Sequence, residues 1–139
     1  MLEVFRKLHD EKEVRRFYVG GALGVDMWAA EQILRLKEQP GYEDIELVVA
    51  LPFVGHDAKW DQRSKRRMEF ILQHCSKKEV IGNEDCRESY VKRNCYMVDQ
   101  ANYLVAVYDD GRNLRSGTMQ CVRYAQKNHV PVVLIHPDT

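Results

Sequence analysis

Short apolar runs alternate along this chain with longer stretches in which apolar residues recur at helical spacing. The apolar runs are rich in β-branched and aromatic residues and predict five strands, at residues 16–19, 47–51, 78–81, 103–108 and 131–135. The stretches between them predict helices at residues 23–38, 58–75, 88–101 and 117–128, and a further short helix is expected at Leu2–Lys12. This alternation is typical of βαβ units, and it therefore predicts an α/β fold.

The strand runs also indicate how the sheet is covered. Residues 47–51 read LVVAL and residues 104–107 read LVAV, so both runs are apolar at consecutive positions. A strand with one face in water would instead alternate apolar and polar residues. We therefore predict a Rossmann-like three-layer fold, in which a mainly parallel sheet of about five strands carries helices on both faces.

The chain has 139 residues, and its 21 lysines and arginines balance 21 aspartates and glutamates. This length suits a single domain, residues 1–139. The balanced charge disfavours nucleic acid as a partner, and no apolar run approaches the roughly 18 residues that a membrane span requires. The four cysteines form no C-x-x-C pair and no signal-like stretch opens the chain, so a cytoplasmic location is expected.

A glycine-rich turn follows the first predicted strand and opens a long helix. It contains Gly20, Gly21 and Gly24, and Asp26 follows at the helix start. Backbone amides in such a turn approach an anion closely, and the helix start adds partial positive charge. The segment is therefore a candidate phosphate site, in which Asp26 accepts a hydrogen bond from the ligand. The alternative is that the glycines only form a tight turn and Asp26 only binds first-turn amides.

A second polar segment follows the fourth predicted strand. Asp109 belongs to a loop that leads to Ser116, Gly117 and Thr118 at a helix start. Two hydroxyls and an unobstructed amide suit a phosphate, and a Ser/Thr helix cap is the alternative interpretation. Both loops leave the carboxyl ends of parallel strands, where open α/β sheets bind ligands, so we expect them to meet at one cleft.

Two further groups are weaker candidates. The loop after the second strand carries Pro52 and Phe53, and Trp60 follows it; the rings are candidates for stacking on a base, with packing as the alternative. Arg93 and Asn94 adjoin on a predicted helix, where a guanidinium and an amide clamp a phosphate or lie on the surface. Histidine and cysteine spacings predict no metal site, and spacing alone identifies no catalytic residue.

These residues and their neighbours also resemble a known family. The segments are GGALGVDMWAAE at residues 20–31, PF at 52–53, Trp60, RNCYMVD at 93–99, AVYD at 106–109, GT at 117–118 and YA at 124–125. In this order they resemble the YpsA-like proteins of the SLOG superfamily, which takes its name from the DprA/SMF and Lonely Guy proteins. The resemblance covers nearly the whole chain.

The resemblance implies a Rossmann-like domain that binds a nucleotide or an ADP-ribose-like ligand. It implies that residues 20–26 and 116–118 face the phosphates of that ligand. It also adds pocket candidates that lie on predicted helices: Trp28, Glu31, Arg93, Asn94 and Asp99.

The sequence departs from the superfamily pattern in ways that bear on function. The Lonely Guy motif P-G-G-x-G-T-x-x-E ends in a catalytic glutamate, whereas aligning Gly117 and Thr118 with it places Cys121 there, which disfavours phosphoribohydrolase chemistry. YpsA-like proteins also begin with a strand, and none precedes Leu2. Because that strand lies inside the sheet, we expect its neighbours to close up, or a second subunit to cover the edge in a homo-oligomer.

The sequence leaves several functions open. The leading hypothesis is a sensor or ligand-binding protein for a phosphorylated small molecule. The second is an enzyme that cleaves or transfers an N-glycosidic bond, with Asp26, Glu31 or Asp99 as acid, base or nucleophile. The third is a DprA-like DNA-binding module, which the lack of a basic stripe disfavours.

Overall fold

The computed structural model describes residues 2–108 and 114–135. The helices in these residues are α1 (Leu2–Lys12), α2 (Val25–Lys37), α3 (Gln62–His74), α4 (Arg87–Gln100) and α5 (Ser116–Lys127). The strands are β1 (Arg16–Val19), β2 (Glu46–Leu51), β3 (Lys77–Val80), β4 (Leu104–Val107) and β5 (Val132–Ile135). The predicted order of elements is confirmed. Within the described ranges, no helix combines the length and apolar character needed to cross a membrane.

The start of α3 is the largest error in the predicted boundaries. The sequence pattern places it at residue 58, whereas the helix begins at Gln62. Asp61 explains the difference, because its Oδ1 accepts a hydrogen bond from the amide of Ser64 at 2.8 Å and caps the helix there. Residues 54–59 form turns instead.

All of the strand pairs are parallel, as predicted, but the strands form two sheets. The first has the order β1-β2-β3 and the second pairs β4 with β5. The register places Phe17 beside Leu47 in the first sheet and Val105 beside Val133 in the second. Within the described residues β1 and β4 share no ladder, so the expected single sheet of five strands is divided between these two strands.

Neighbouring residues of β1 show that helices cover both faces of the first sheet. Phe17 contacts Phe5 of α1, with ring centroids 5.5 Å apart, whereas Tyr18 contacts Tyr96 of α4 at 6.2 Å. Successive side chains of a strand point to opposite faces, so α1 and α4 lie on opposite sides of the sheet. The main core lies on the side of α1 and includes buried residues of α2 and α3. Helix α5 packs beside α4.

A groove separates β1 from β4 at the place where a continuous sheet would join them. Its volume is about 740 Å³, and both strands line it along their whole length. Residues of α1 and α2 cover it on one side, and residues of α4 and α5 cover it on the other. We call this space the interstrand groove. One expectation from the sequence was that neighbouring strands would close up. Instead, β1 and β4 remain separated by this groove.

Candidate functional site

The turn between β1 and α2 requires glycine at specific positions. Gly21 has a φ of +69° and Gly24 a φ of +84°, both in the left-handed region that side chains disfavour. A Cβ atom on Gly21 would also stand 2.7 Å from Cδ2 of Leu51. A side chain at Gly21 would therefore be strained by the backbone angle and would press against the Leu51 side chain of β2.

Asp26 reaches back into this turn from the first residues of α2. Its Oδ2 accepts a hydrogen bond from the amide of Ala22 at 3.3 Å, and a Cβ atom on Gly20 would lie 2.7 Å from the same oxygen. The carboxyl group faces the interior, and this burial raises the pKa of Asp26, while the nearby Arg93 acts in the opposite direction. The Asp26 carboxylate therefore binds the amide of Ala22, one of the turn amides that were expected to bind a phosphate.

Arg93 joins α4 to the same turn. Its Nη1 donates a hydrogen bond to the carbonyl oxygen of Gly20, and its Nε donates to Oδ1 of Asn94 at 2.8 Å. Asn94 in turn donates from Nδ2 to Oε1 of Gln120 at 2.9 Å. Burial lowers the pKa of Arg93, and Asp26 opposes that shift. One interpretation of the sequence placed Arg93 and Asn94 on the surface. The structure excludes it, because both side chains are buried. Together these contacts connect the glycine turn to α5.

The starts of α2 and α5 open into the same end of the interstrand groove. The lining residues at this end come from both segments and from the end of β4: Gly20, Leu23, Val25, Asp26, Tyr108, Arg115, Thr118 and Cys121. Burial, followed by the charge of Asp26, raises the pKa of Cys121 to about 11, which reflects how close α5 comes to the glycine turn.

In the part of the chain that the structure describes, neither of these two helices has a side-chain cap at its start. The cap positions are Gly24 for α2 and Arg115 for α5, and neither makes a side-chain hydrogen bond to the helix. Asp61, by contrast, caps α3. Free amides at a helix start carry partial positive charge, so two such starts beside one cavity favour an anion there.

The loop after β2 supports the glycine turn and does not line the groove. Pro52 and Phe53 are buried, and the Phe53 ring contacts Tyr90 edge-on with centroids 5.7 Å apart. His56 donates from Nε2 to the carbonyl oxygen of Gly21 at 2.8 Å, and its ring contacts Trp60 at 5.1 Å. These contacts fix the position of the turn from the side of β2.

Two carboxylates named from the sequence lie elsewhere. Glu31 accepts two hydrogen bonds from Arg67 of α3, at 2.5 and 3.1 Å, so it joins α2 to α3. Asp99 accepts from the hydroxyl of Tyr124 at 2.8 Å and joins α4 to α5. Neither residue lines the interstrand groove.

The remaining predicted residues take different positions relative to the groove. Ser116 and Gly117 lie exposed in the first turn of α5, and only Thr118 of that motif lines the groove. Trp28 is partly buried and packs against the main core. Asp109 lies outside the described residues.

Several groove-lining residues were not selected from the sequence. They are Leu23, Val25, Tyr108, Arg115 and Cys121. Helical spacing would have found Cys121, because it follows Thr118 by three positions and therefore shares its face. The apolar Leu23 and Val25 carry no chemical signal, and only the fold brings them to the groove. In residues 2–108 and 114–135 no group of three or more histidine, cysteine, aspartate or glutamate side chains is placed to hold a metal ion.

Comparison with known proteins identifies the relatives of this chain. The YpsA profile, described as the YspA SLOG family, matches residues 1–139. The uncharacterized SPbeta prophage-derived protein YoqJ of Bacillus subtilis is 34% identical over 152 residues, which cover 99% of this chain and 86% of YoqJ.

Other relatives are longer proteins. A UPF0398 protein of Staphylococcus epidermidis is 28% identical over 94 residues, covering 66% of this chain and 49% of that protein. A UPF0398 protein of Bacillus cereus is 29% identical over 94 residues, with 66% and 50% covered. The match thus spans about half the length of these UPF0398 relatives.

Proposed function

This chain belongs to the YspA SLOG family, and we propose that it binds a nucleotide or nucleotide-derived phosphorylated ligand, as a sensor or ligand-binding protein. The binding site is the end of the interstrand groove at the carboxyl edge of β1 and β4. An ADP-ribose-like molecule is one member of this ligand class. The phosphates lie against the starts of α2 and α5.

One observation carries the proposal, namely that two uncapped helix starts face one cavity. A phosphate placed there accepts hydrogen bonds from helix-start amides that bind no side chain within residues 2–108 and 114–135, and it meets the partial positive charge of both helices. Arg115 adds a full positive charge to the lining. The resident Asp26 carboxylate faces the turn amide of Ala22, so it does not cap the free amides of the helix itself.

The rest of the groove suits the uncharged part of such a ligand. Its volume of about 740 Å³ falls in the range of small-molecule sites, which is roughly 300–1,000 Å³. Leu23, Val25 and the ring of Tyr108 stand beside the two helix starts. A ribose or base therefore finds apolar and aromatic surface next to the phosphate position.

A thermal unfolding series tests the proposal. The chain is heated with AMP, ADP, ATP, NAD and ADP-ribose, and with adenosine and ribose as controls that lack phosphate. A ligand that binds only the folded state stabilises it by about 2.7 kcal/mol at a concentration of 100 Kd. We expect a shift with at least one phosphorylated compound and none with the controls. Unchanged melting with every phosphorylated compound would contradict the proposal.

A second candidate, cleavage of an N-glycosidic bond, rests on Asp26. Its carboxyl group lines the groove, and burial raises its pKa, as a general acid requires. The other carboxylates named for this chemistry, Glu31 and Asp99, lie outside the groove. Release of free base from the same compounds, abolished in Asp26→Asn, would favour the enzyme over the sensor.

A further inference from the structure

A chain of side-chain hydrogen bonds connects the turn before α2 to helix α5. It begins at the carbonyl oxygen of Gly20, which accepts from Nη1 of Arg93. Nε of Arg93 donates to Oδ1 of Asn94 at 2.8 Å, and Nδ2 of Asn94 donates to Oε1 of Gln120 at 2.9 Å. We call Arg93, Asn94 and Gln120 the relay. It passes through α4 and joins two segments that are distant in sequence.

Each side-chain amide of the relay has one orientation that serves both of its neighbours. The oxygen of Asn94 faces Arg93 and its nitrogen faces Gln120, so exchanging the two atoms would break both bonds. Gln120 is fixed in the same way, because its Nε2 donates to Sγ of Cys95 at 3.6 Å while its Oε1 accepts from Asn94. The orientation of Gln120 therefore determines which atom of Asn94 is presented to Arg93.

Arg93 is the member most sensitive to a lost bond, because its charge is buried. Arg93 is 6% exposed and Asn94 is 8% exposed, and the guanidinium carbon lies 5.7 Å from the centroid of the Tyr90 ring. In a low-dielectric interior, neighbouring hydrogen bonds polarise one another and an unmatched polar group is costly. We therefore expect a bond lost at Nε to move the guanidinium, and the Gly20 carbonyl with it.

The ends of the relay lie beside the two helix starts of the candidate anion site. Gly20 lines the interstrand groove and belongs to the turn that leads into α2. Gln120 follows Thr118 by two positions in α5, and Thr118 lines the groove. Two positions along a helix differ by about 200° in direction, so Thr118 faces the groove while Gln120 faces α4.

A second hydrogen bond between α4 and α5 provides a comparison. The hydroxyl of Tyr124 donates to Oδ1 of Asp99 at 2.8 Å, and this pair is exposed. Tyr124 lies about one helical turn after Gln120. Within the described residues, this pair makes no hydrogen bond to the relay. It therefore joins the same two helices without a connection to Arg93.

We propose that Arg93, Asn94 and Gln120 are positioning residues of the anion site, and that they hold the starts of α2 and α5 at the separation at which one phosphate binds both. The inference rests on the proposed function, because it concerns the same site. None of the three residues lines the groove. Arg93 acts through the carbonyl group of Gly20, and the other two act through Arg93. A change in α5 should therefore reach the glycine turn even when no ligand is present.

Three single substitutions in the intact chain test the relay. Gln120→Met keeps the length of the side chain and removes both polar atoms. Gln120→Glu restores an acceptor for Asn94 but not the donor to Cys95. Tyr124→Phe removes the other hydrogen bond between α4 and α5. Amide NMR of the ligand-free variants follows the glycine turn, and thermal unfolding shows that each variant is folded.

In the ligand-free chain, we expect Gln120→Met to shift the amide signals of Gly21 and Ala22, while Tyr124→Phe leaves them in place. Gln120→Glu should return both signals at least halfway to their original positions, which a general loss of packing would not do. Unchanged turn signals in folded Gln120→Met, or equal changes in Tyr124→Phe, would overturn the proposal.

A measurement on the unchanged chain covers the case in which Gln120→Met does not fold. The Nε proton of Arg93 is buried and bound to Asn94, so it should exchange slowly with solvent. Rapid exchange of this proton in the folded chain would overturn the proposal, because Arg93 would then not be held by the relay.

A ligand titration separates this inference from the proposed function. AMP, ADP, ATP, NAD and ADP-ribose are titrated into the unchanged chain, Gln120→Met and Tyr124→Phe. We expect the affinity for a compound that binds the unchanged chain to fall at least about fivefold in Gln120→Met and to stay the same in Tyr124→Phe. Equal affinity in Gln120→Met would overturn the positioning role while the site itself stands. Absence of binding to the unchanged chain would instead contradict the proposed function, and the positioning role with it.

Discussion

Arg93 donates a hydrogen bond to the carbonyl oxygen of Gly20, and this contact joins α4 to the turn between β1 and α2 across 73 positions of sequence. The guanidinium is buried, which lowers the pKa of Arg93, and the negative charge of Asp26 opposes this shift. The candidate site therefore depends on the positive charge of Arg93, a residue that lies outside the glycine-rich turn.

Replacing Arg93 should destabilise the fold strongly. Arg93→Met leaves the Gly20 carbonyl without this donor and Asp26 without its opposite charge. A buried carbonyl oxygen that loses its donor costs about 1–3 kcal/mol, which urea denaturation measures. The exposed neighbour offers a control, because Lys92→Met should change the free energy of unfolding by less than about 0.5 kcal/mol. A loss in Arg93→Met that is no larger than in this control would show that the contact is dispensable.

Two glycines should respond differently to alanine, namely Gly21 in the turn before α2 and Gly117 in the first turn of α5. Gly21→Ala places a Cβ atom 2.7 Å from Leu51 Cδ2 at a φ of +69°, so we expect destabilisation of at least about 1 kcal/mol. Gly117 lies in a helix, and a Cβ atom there meets nothing within 4 Å, so Gly117→Ala should be neutral or up to about 1 kcal/mol stabilising. Thermal unfolding of both variants decides the matter, and equal effects would contradict the assigned turn geometry.

A negative charge at the start of α5 should block anion binding while sparing the fold. Thr118→Glu places a carboxylate beside the groove, where it repels a phosphate but favours the helix start itself. We expect affinity for any phosphorylated ligand of the chain to fall at least tenfold, which is about 1.4 kcal/mol. Ser64→Glu occupies the same helical position in α3, outside the groove, and should leave affinity unchanged. Titration calorimetry compares the two, and equal affinities would place the ligand elsewhere.

The stability of the chain should depend on pH through His9. Its Nδ1 lies 2.9 Å from Oδ1 of Asp10 and its Nε2 2.8 Å from Oδ1 of Asp44, so protonated His9 donates to both. Burial lowers the pKa of His9, but these two hydrogen bonds outweigh it and the net shift is upward. Arg15 also faces the cluster and opposes the shift, and the Tyr42 ring lies beside the imidazole, tilted by 49° with ring centroids 4.7 Å apart.

This upward shift fixes the sign of the pH dependence. The contribution of His9 is complete below its ordinary pKa of 6.5 and is lost as the pH rises through the raised pKa of the folded state. The difference in melting temperature between the chain and His9→Gln should therefore shrink between about pH 6 and pH 9. A difference that stays constant, or that grows with pH, would refute the double hydrogen bond.

The sequence predicts the elements of this fold because the signals are local. The run of apolar residues in β2 and the helical spacing in α2 appear directly in the residues. The cap of Asp61 that fixes the start of α3 is also local, and the pattern of apolar residues alone overlooks it. The division into two sheets is not local, because it depends on how α4 and α5 place β4 relative to β1.

The candidate site shows the same limit. The glycines at 21 and 24 have backbone angles that agree with the turn expected from the sequence. Arg93, in contrast, is buried because the fold places it against Gly20 and Asp26. Glu31 lies outside the site because its carboxylate binds Arg67 of α3. Tertiary contacts of this kind have no signature in residue spacing.

The most direct test of a shared anion site is an amide NMR titration with the phosphorylated compound that gives the largest thermal shift. The amides of Val25 and Asp26 at the start of α2, and of Gly117 and Thr118 at the start of α5, should shift together with one dissociation constant. The same titration with adenosine should leave all four unchanged. Shifts at only one of the two helix starts, or two different dissociation constants, would contradict the account.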